Sequence, residues 1–183
     1  MDKNNLQPGA TMRNHARNDG FTLIEMMVTV AILAILIAAV TPSFRGVLRD
    51  NQAATQSNAL VTSLMLARSE AIKRNAPVVM CRSDDGASCA GSDWAEGWIL
   101  WADTDGDTTI DSGEIVQVQE DLAGNFTLTA TGASFTYRPD GSVSGAADSF
   151  QLLPPDGDAD YGRCVAVDVT GRPNVTKGAC PSP

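Results

Sequence analysis

The sequence predicts an α+β protein: a long N-terminal helix, membrane-spanning in its first half, packed against a small antiparallel β-sheet domain. Three observations predict it. Residues 21–40 read FTLIEMMVTVAILAILIAAV and hold a single charge, Glu25. At about 1.5 Å per residue, such a run covers roughly 30 Å, one bilayer core. Residues 43–75 contain Gly46 but no proline, and their apolar side chains recur mostly three or four apart, one helical face. From residue 76 onward, short β-rich runs alternate with Asp/Gly/Pro turn signals.

Each element follows in chain order. Residues 1–20 carry Lys3, Arg13 and Arg17 against Asp2 and Asp19. Arginines just before an apolar run hold their segment in the cytoplasm, which places everything after the run outside the inner membrane. Residues 21–42 form the membrane helix. Residues 43–75 continue it as an amphipathic helix with Phe44, Val47, Leu48, Ala54, Val61, Leu64, Met65 and Ile72 as its packing face. Arg45, Arg49, Gln52, Gln56, Ser63 and Lys73 lie opposite. One helix over 21–74 would be about 80 Å long, with a kink expected at Pro42 and an end at Asn75 and Pro77. Residues 76–183 form the β-rich domain, with strands expected at 77–82, 98–103, 114–120, 126–131, 134–138, 149–153 and 163–169.

Charge and histidine content exclude several functions. The formal net charge is -9, but residues 76–183 alone carry five basic against seventeen acidic groups. A domain at -12 is a poor partner for nucleic acid, because duplex affinity needs many cations on phosphates. The single histidine, His15, lies before the apolar run. Ser-His-Asp and Cys-His catalysis, and zinc sites built on histidine, then lack their base or ligand. No phosphate-cradling glycine motif opens a helix, so no enzyme is expected.

Glu25 is the informative residue. A carboxylate within a bilayer costs about 2.5–3.5 kcal/mol on insertion scales, and such residues are usually functional. The stretch Gly20-Phe21-Thr22-Leu23-Ile24-Glu25 resembles the processing site of type IV prepilins. The resemblance implies that prepilin peptidase removes residues 1–20 by cutting after Gly20, and that the new N-terminus, Phe21, is N-methylated. Glu25 falls at the fifth position after the cut, and Pro42 at a helix-kinking position common in these proteins. Glu25 would pair with the Phe21 amine of a neighbouring subunit, since buried charges persist when paired. A repeated head-to-tail contact then generates an open helical filament.

A second resemblance covers Gly20 to about Glu120. Residues 67–75, ARSEAIKRN, then Pro77-Val78-Val79-Met80-Cys81, Gly97-Trp98-Ile99 and Glu114-Ile115-Val116 resemble the GspH/FimT (FimU-like) family of minor pilins and pseudopilins. It implies a pilin fold and a minor pilin that primes assembly and sits at the tip of a type IV pilus. The alternative is a GspH-like minor pseudopilin of the type II protein secretion system. A less favoured alternative is a DNA-binding minor pilin: such proteins carry a basic Gly-Arg-x-Arg tail, of which this chain keeps Arg172 in Gly171-Arg172-Pro173-Asn174, with Lys177 as the other cation. Partners would be other minor and major pilins or pseudopilins, with prepilin peptidase and the inner membrane.

Cys81, Cys89, Cys164 and Cys180 all follow the membrane run, and an even count outside the cytoplasm favours disulfides. Of three pairings we favour the local ones, Cys81 with Cys89 and Cys164 with Cys180. The disulfide-closed tail tilts the reading toward pilus proteins. Asp103, Asp105, Asp107, Asp111 and Glu114 occupy positions 1, 3, 5, 9 and 12 of an EF-hand-like calcium loop, but Thr108 replaces the glycine of position 6 and both flanks read as strands. A solvated Asp/Gly turn and a weak calcium loop both remain open, with no cofactor required. Trp98 and Trp101 have opposite strand parity; core packing is expected for both, with a partner contact as the alternative.

Overall fold

The computed structural model describes residues 20–145 and 148–181, without the side chains of residues 39–43. Of the expected leader only Gly20 is described; His15 and the Pro42 side chain lie outside the described residues. The chain divides into two compact units, Met1–Pro42 and Ser43–Pro183.

In the first unit, helix α1 (Leu23–Arg74) begins. Thr22 starts it: its hydroxyl accepts the Glu25 N–H at 3.2 Å, and its carbonyl accepts the Met26 N–H at 3.1 Å. That satisfies two of the donors a helix start leaves unpaired. Thr29 returns its hydroxyl to the Met26 carbonyl at 2.9 Å, so its polarity is absorbed by the helix itself. Leu23, Met27, Val30 and Ile35 stand more than half exposed. Among the described residues no helix is long and apolar enough to cross a membrane.

In the second unit, α1 is the central element. It ends where Asn75 takes a left-handed φ of 51° and Pro77 follows, a common way to stop a helix. Glu70 ties down the last turn, with Lys73 at 3.1 Å and Arg74 at 2.7 Å. The buried face of α1 is Ala53, Leu60, Leu64, Ala67 and Ala71. This corrects the expected face: Phe44, Val47, Leu48, Met65 and Ile72 are exposed, and Ser63, expected on the polar side, is fully buried. The buried face is the one whose Leu60 and Leu64 enter the core shared by both sheets, with the small Ala53, Ala67 and Ala71 beside them.

Among the described residues, eight strands form two four-stranded antiparallel sheets. They are β1 (Val78–Arg82), β2 (Trp98–Ala102), β3 (Ile115–Gln119), β4 (Thr127–Ala130), β5 (Ser134–Tyr137), β6 (Asp148–Leu153), β7 (Arg163–Val167) and β8 (Pro173–Lys177). The first sheet has the order β3-β2-β1-β5 and the second β4-β6-β7-β8. The inner faces of both sheets and the alanine face of α1 share one core, with Met80, Trp98, Leu100 and Tyr137 from one sheet and Leu128, Phe150 and Val165 from the other. Trp94, on a short 3-10 turn (Trp94–Glu96), meets Phe150 edge-on at 5.1 Å and donates its indole N–H to the Gly132 carbonyl at 2.9 Å.

Sequence parity separates Trp98 from Trp101 as expected, yet both are buried. Trp98 faces the shared core; Trp101 belongs to a smaller cluster with Cys81 and Ile99, with Val79 and Ile110 packed against it. The strand β8 was missed, because its exposed residues Asn174, Thr176 and Lys177 lack an apolar alternation.

Two expected outcomes follow. Leu64→Ala should cost about 3 kcal/mol, transfer plus cavity, while Met65→Ala, one residue away but exposed, should cost less than about 1 kcal/mol; urea unfolding midpoints compare them. The second concerns acid. The N–H of Ala87 and the hydroxyl of Ser88 hold the Asp85 carboxyl far below its ordinary value. Hydrogen bonds from Ser142 also lower the Asp140 pKa, and those from Thr170 and the Arg172 N–H lower that of Asp168. Because these folded-state pKa values lie below the unfolded ones, the stabilisation is present above about pH 4 and disappears as pH falls through the folded values. The urea midpoint should therefore fall steeply below about pH 4, and less steeply in Asp85→Asn.

Candidate functional site

The first candidate region is the start of α1. Gly20 and Phe21 precede the helix in non-helical backbone, and both are exposed. Phe21 is 78% exposed, so the peptide bond between Gly20 and Phe21 is sterically accessible. Glu25 lies in the first helical turn, where a carboxylate faces the positive end of the helix dipole. Its backbone N–H is taken by Thr22, but its carboxylate has no hydrogen bond or ion pair among the described residues. Thr22 is a residue the sequence reading missed. The signal was there: Thr22-x-x-Glu25 has the spacing of a helix-capping box.

The four cysteines form two disulfides. Cys81 is bonded to Cys89, with Cα atoms 5.4 Å apart, and Cys164 to Cys180, with Cα atoms 4.9 Å apart. The first closes the loop after β1 over the outer face of the first sheet. The second brings the tail beyond β8 back to β7. Gln151 on β6 holds the same tail: its Oε1 accepts the Cys180 N–H, and its Nε2 donates to the Gly178 carbonyl at 3.4 Å.

The acidic loop joins β2 to β3. Its five carboxylates come together in two overlapping groups, Asp103 with Asp105 and Glu114, and Asp105 with Asp107 and Asp111, with oxygens within 4.8 Å of one another in each. Most of these oxygens already serve the loop. Asp103 accepts the Gly106 N–H at 2.8 Å and Asp107 the Thr109 N–H at 2.8 Å. Glu114 accepts the Thr104 N–H at 2.9 Å and hydroxyl at 2.7 Å, and the Asp111 N–H at 3.2 Å. The Thr104 N–H chiefly lowers the Glu114 pKa. Asp111 is the exception. The neighbouring Asp107 charge, then burial, raise its pKa. Thr108, in the place of the missing glycine, takes a φ of 64°, the left-handed conformation that glycine adopts without cost. Ile110 anchors the loop against the Trp101 cluster.

Arg172 and Lys177, the two cations of the nucleic-acid reading, are not equivalent. Lys177 Nζ lies 2.7 Å from Asp50, which also takes Arg163 at 3.0 Å. These two cations lower the Asp50 pKa, Lys177 foremost. Lys177 and Arg49 also sit over the Tyr161 ring at 5.7 and 6.0 Å, and Arg49 pairs with Asp156 at 2.6 Å. Gly46 is needed under that ring, since a Cβ there would come within 2.7 Å of the Tyr161 hydroxyl. This cluster ties the ends of β7 and β8 to α1, and no local spacing in the sequence announces it. Arg172 is exposed; its guanidinium is in no ion pair among the described residues, but its N–H donates to the Asp168 carboxylate at 3.0 Å and its charge helps lower the Asp168 pKa.

The comparisons with known proteins agree with this geometry. The model of the family described as Type II transport protein GspH matches residues 56–171, and that of the prokaryotic N-terminal methylation motif matches residues 15–41. A search of the curated proteins finds no match. Among solved structures, the type IV minor pilin FimU of Pseudomonas aeruginosa is similar with a TM-score of 0.56 at 18% identity, over 72% of this chain and 95% of that one. The minor pseudopilin EpsH from the type 2 secretion system of Vibrio cholerae is similar with a TM-score of 0.52 at 13% identity, over 69% of this chain and 97% of that one. At these identities the likeness is one of fold, the long helix packed on antiparallel sheets. The family match over most of the second unit, together with the methylation motif at the start of α1, shows that this chain belongs to the GspH family as a GspH/FimT-like minor pilin or pseudopilin.

Proposed function

We propose that the chain is a minor pilin that primes the assembly, and forms part of the tip, of a type IV pilus. Prepilin peptidase cuts after Gly20, Phe21 is methylated, and residues 21–42 anchor the subunit as a single pass in the bacterial inner membrane with its β domain in the periplasm. It then passes into the filament with other minor and major pilins. The observation that carries this reading is the Glu25 carboxylate, partnerless among the described residues in an apolar helix. An unpaired charge there costs free energy until a partner arrives, and the amine freed at Phe21 of an adjacent subunit is that partner. The Cys164–Cys180 tail closure tilts the reading toward a pilus; the alternative is a GspH-like pseudopilin of the type II secretion system, and FimU and EpsH both share the fold. The role is structural rather than enzymatic. The nucleic-acid reading rests on Arg172 alone, because Lys177 is occupied by Asp50.

Backbone N–H groups and threonine hydroxyls take up much of the loop's carboxylate charge. We propose that calcium adds to the loop weakly by neutralising the crowding around Asp111.

Glu25→Ala should leave the chain inserted, cleaved and folded while lowering its share in sheared filaments relative to the membrane pool; mass spectrometry of the parent should show a chain beginning at methylated Phe21. An intact Met1 start in cells with active prepilin peptidase, or undiminished entry of Glu25→Ala into filaments, would remove the charge-pairing mechanism. For the loop, millimolar calcium should raise the melting temperature by a few degrees. The raised Asp111 pKa means that the ionised residue opposes folding as pH rises above its unfolded value. Asp111→Asn should therefore raise the melting temperature near neutral pH without calcium and abolish the calcium response. A melting temperature indifferent to calcium ends the calcium reading.

A further inference from the structure

The outer face of the second sheet, turned away from the core, carries a groove of about 660 Å³. That size falls within the roughly 300–1,000 Å³ of small-molecule sites. Strand alternation explains its floor. Phe150 and Val165 face the core, so Ser149 and Ala166 point the other way. Pairing sets Ser149 of β6, Ala166 of β7 and Asn174 of β8 side by side in one row. At about 4.8 Å between strands, that row is roughly 10 Å long.

The tail forms one wall. The Cys164–Cys180 disulfide and Gln151 hold it to β7 and β6, and Pro181, next along the chain, lines the groove. Another wall is the turn after β7, which carries Asp168 and Arg172. Asp168 Oδ1 accepts the Thr170 hydroxyl at 2.6 Å and the Arg172 N–H at 3.0 Å. These bonds fix the carboxylate, and its Oδ2 takes no hydrogen bond among the described residues. At the end of β6, Asp148 Oδ1 accepts the Ser149 N–H at 2.7 Å and leaves Oδ2 open in the same way. The side chains of Asn174 and Thr131 are exposed and have no hydrogen-bond partner among the described residues.

These groups bond in both directions. The carboxylates accept, the Arg172 guanidinium donates, and the Asn174 amide and the hydroxyls of Ser149 and Thr131 do both. A matching ligand carries donors and acceptors together, which is the chemistry of neighbouring hydroxyls. An O–H donated to a fixed carboxylate is among the stronger hydrogen bonds. The apolar surface between these groups is small, Ala166 and Pro173 beside the disulfide. It suits the C–H face of a sugar ring and offers no aromatic side chain to a hydrophobic ligand.

Other ligands fit less well. A metal ion needs gathered carboxylates, and among the described residues those groups lie in the acidic loop. An anion would meet two carboxylates here, in a region with five basic against seventeen acidic groups. A peptide that extends a sheet binds along a free strand edge, whereas this groove lies on a face. We infer that the outer face of the second sheet binds a neutral di- or trisaccharide, with Asn174 and Asp168 holding ring hydroxyls and Ala166 beneath a ring face. The site belongs to the second unit alone and is independent of entry into a filament.

The test uses the full-length chain, purified in a polyoxyethylene detergent that has no sugar headgroup. It is applied to an array of neutral and sialylated di- and trisaccharides, and the neutral sugar retained best is titrated by calorimetry. Retention of neutral sugars is expected, with a millimolar or tighter dissociation constant. Asn174→Ala should weaken binding about fivefold, the size of one hydrogen bond. Ala166→Phe, which adds a ring to the floor at an exposed position, should abolish it. Thr127→Phe, exposed on the same face of β4 but outside the groove, should leave it unchanged. Melting temperatures equal to the parent's show that the fold is kept; should Ala166→Phe melt lower, Asn174→Ala, which removes no contact, decides. No retained neutral sugar, a preference for sialylated sugars, binding unaffected by both groove variants, or equal loss in Thr127→Phe overturns the assignment. Sugar binding without filament entry leaves the site standing, and filament entry without sugar binding removes the site alone.

Discussion

The second unit depends on one seam, the small-residue face of α1 set between two sheets. Ala53, Ala67 and Ala71 are fully buried there, with Leu60 and Leu64 between them. Around them Met80, Leu100 and Tyr137 of one sheet and Phe150 and Val165 of the other complete a single core. Hydrophobic burial is not directional; the helix supplies the direction by presenting one stripe, Leu60 and Leu64 among the alanines, to both sheets. The Met65 and Ile72 stripe, left outside, becomes available for contacts with other chains.

A second layer protects the outer face of the first sheet. Trp101 cannot turn inward, since its neighbour Leu100 occupies the core side of the strand. The acidic loop supplies Ile110, and Cys81 joins the same cluster from β1. The loop between β2 and β3 thus serves packing through Ile110 whatever its carboxylates bind. Its acidity is tolerated because backbone N–H groups and threonine hydroxyls take up most of the charge, and the unrelieved part is concentrated at Asp111.

How far the residues alone reveal this protein differs from element to element. Seven strands were legible from alternation and turn residues, to within one or two positions at their ends, because turn chemistry is local. The eighth, β8, was not, because its pairing with β7 and the nearby disulfide, rather than its own side chains, make it a strand. Division into two sheets was also hidden, since nothing local tells a strand which neighbour it will find. At the candidate site, the N-terminal methylation motif was legible because it is written in a short stretch of chain, whereas the Thr22 cap within it was overlooked. The Asp50, Arg163 and Lys177 cluster joins residues more than a hundred positions apart and has no local signature.

The sequence by itself determined the class of the molecule: an apolar run with one carboxylate, a processing motif before it, a helix, and an acidic β-rich domain with paired cysteines. Those properties are written in composition and short spacing, which act before any tertiary contact forms. Only the tertiary structure decided which face of α1 is buried. Periodicity shows that a helix has an apolar stripe, but which stripe is buried depends on where the sheets pack, and here Ala67, Ala71 and Ser63 are buried while Met65 and Ile72 are exposed. It also decided that Lys177 pairs with Asp50 of α1 while Arg172 turns to the nearby Asp168.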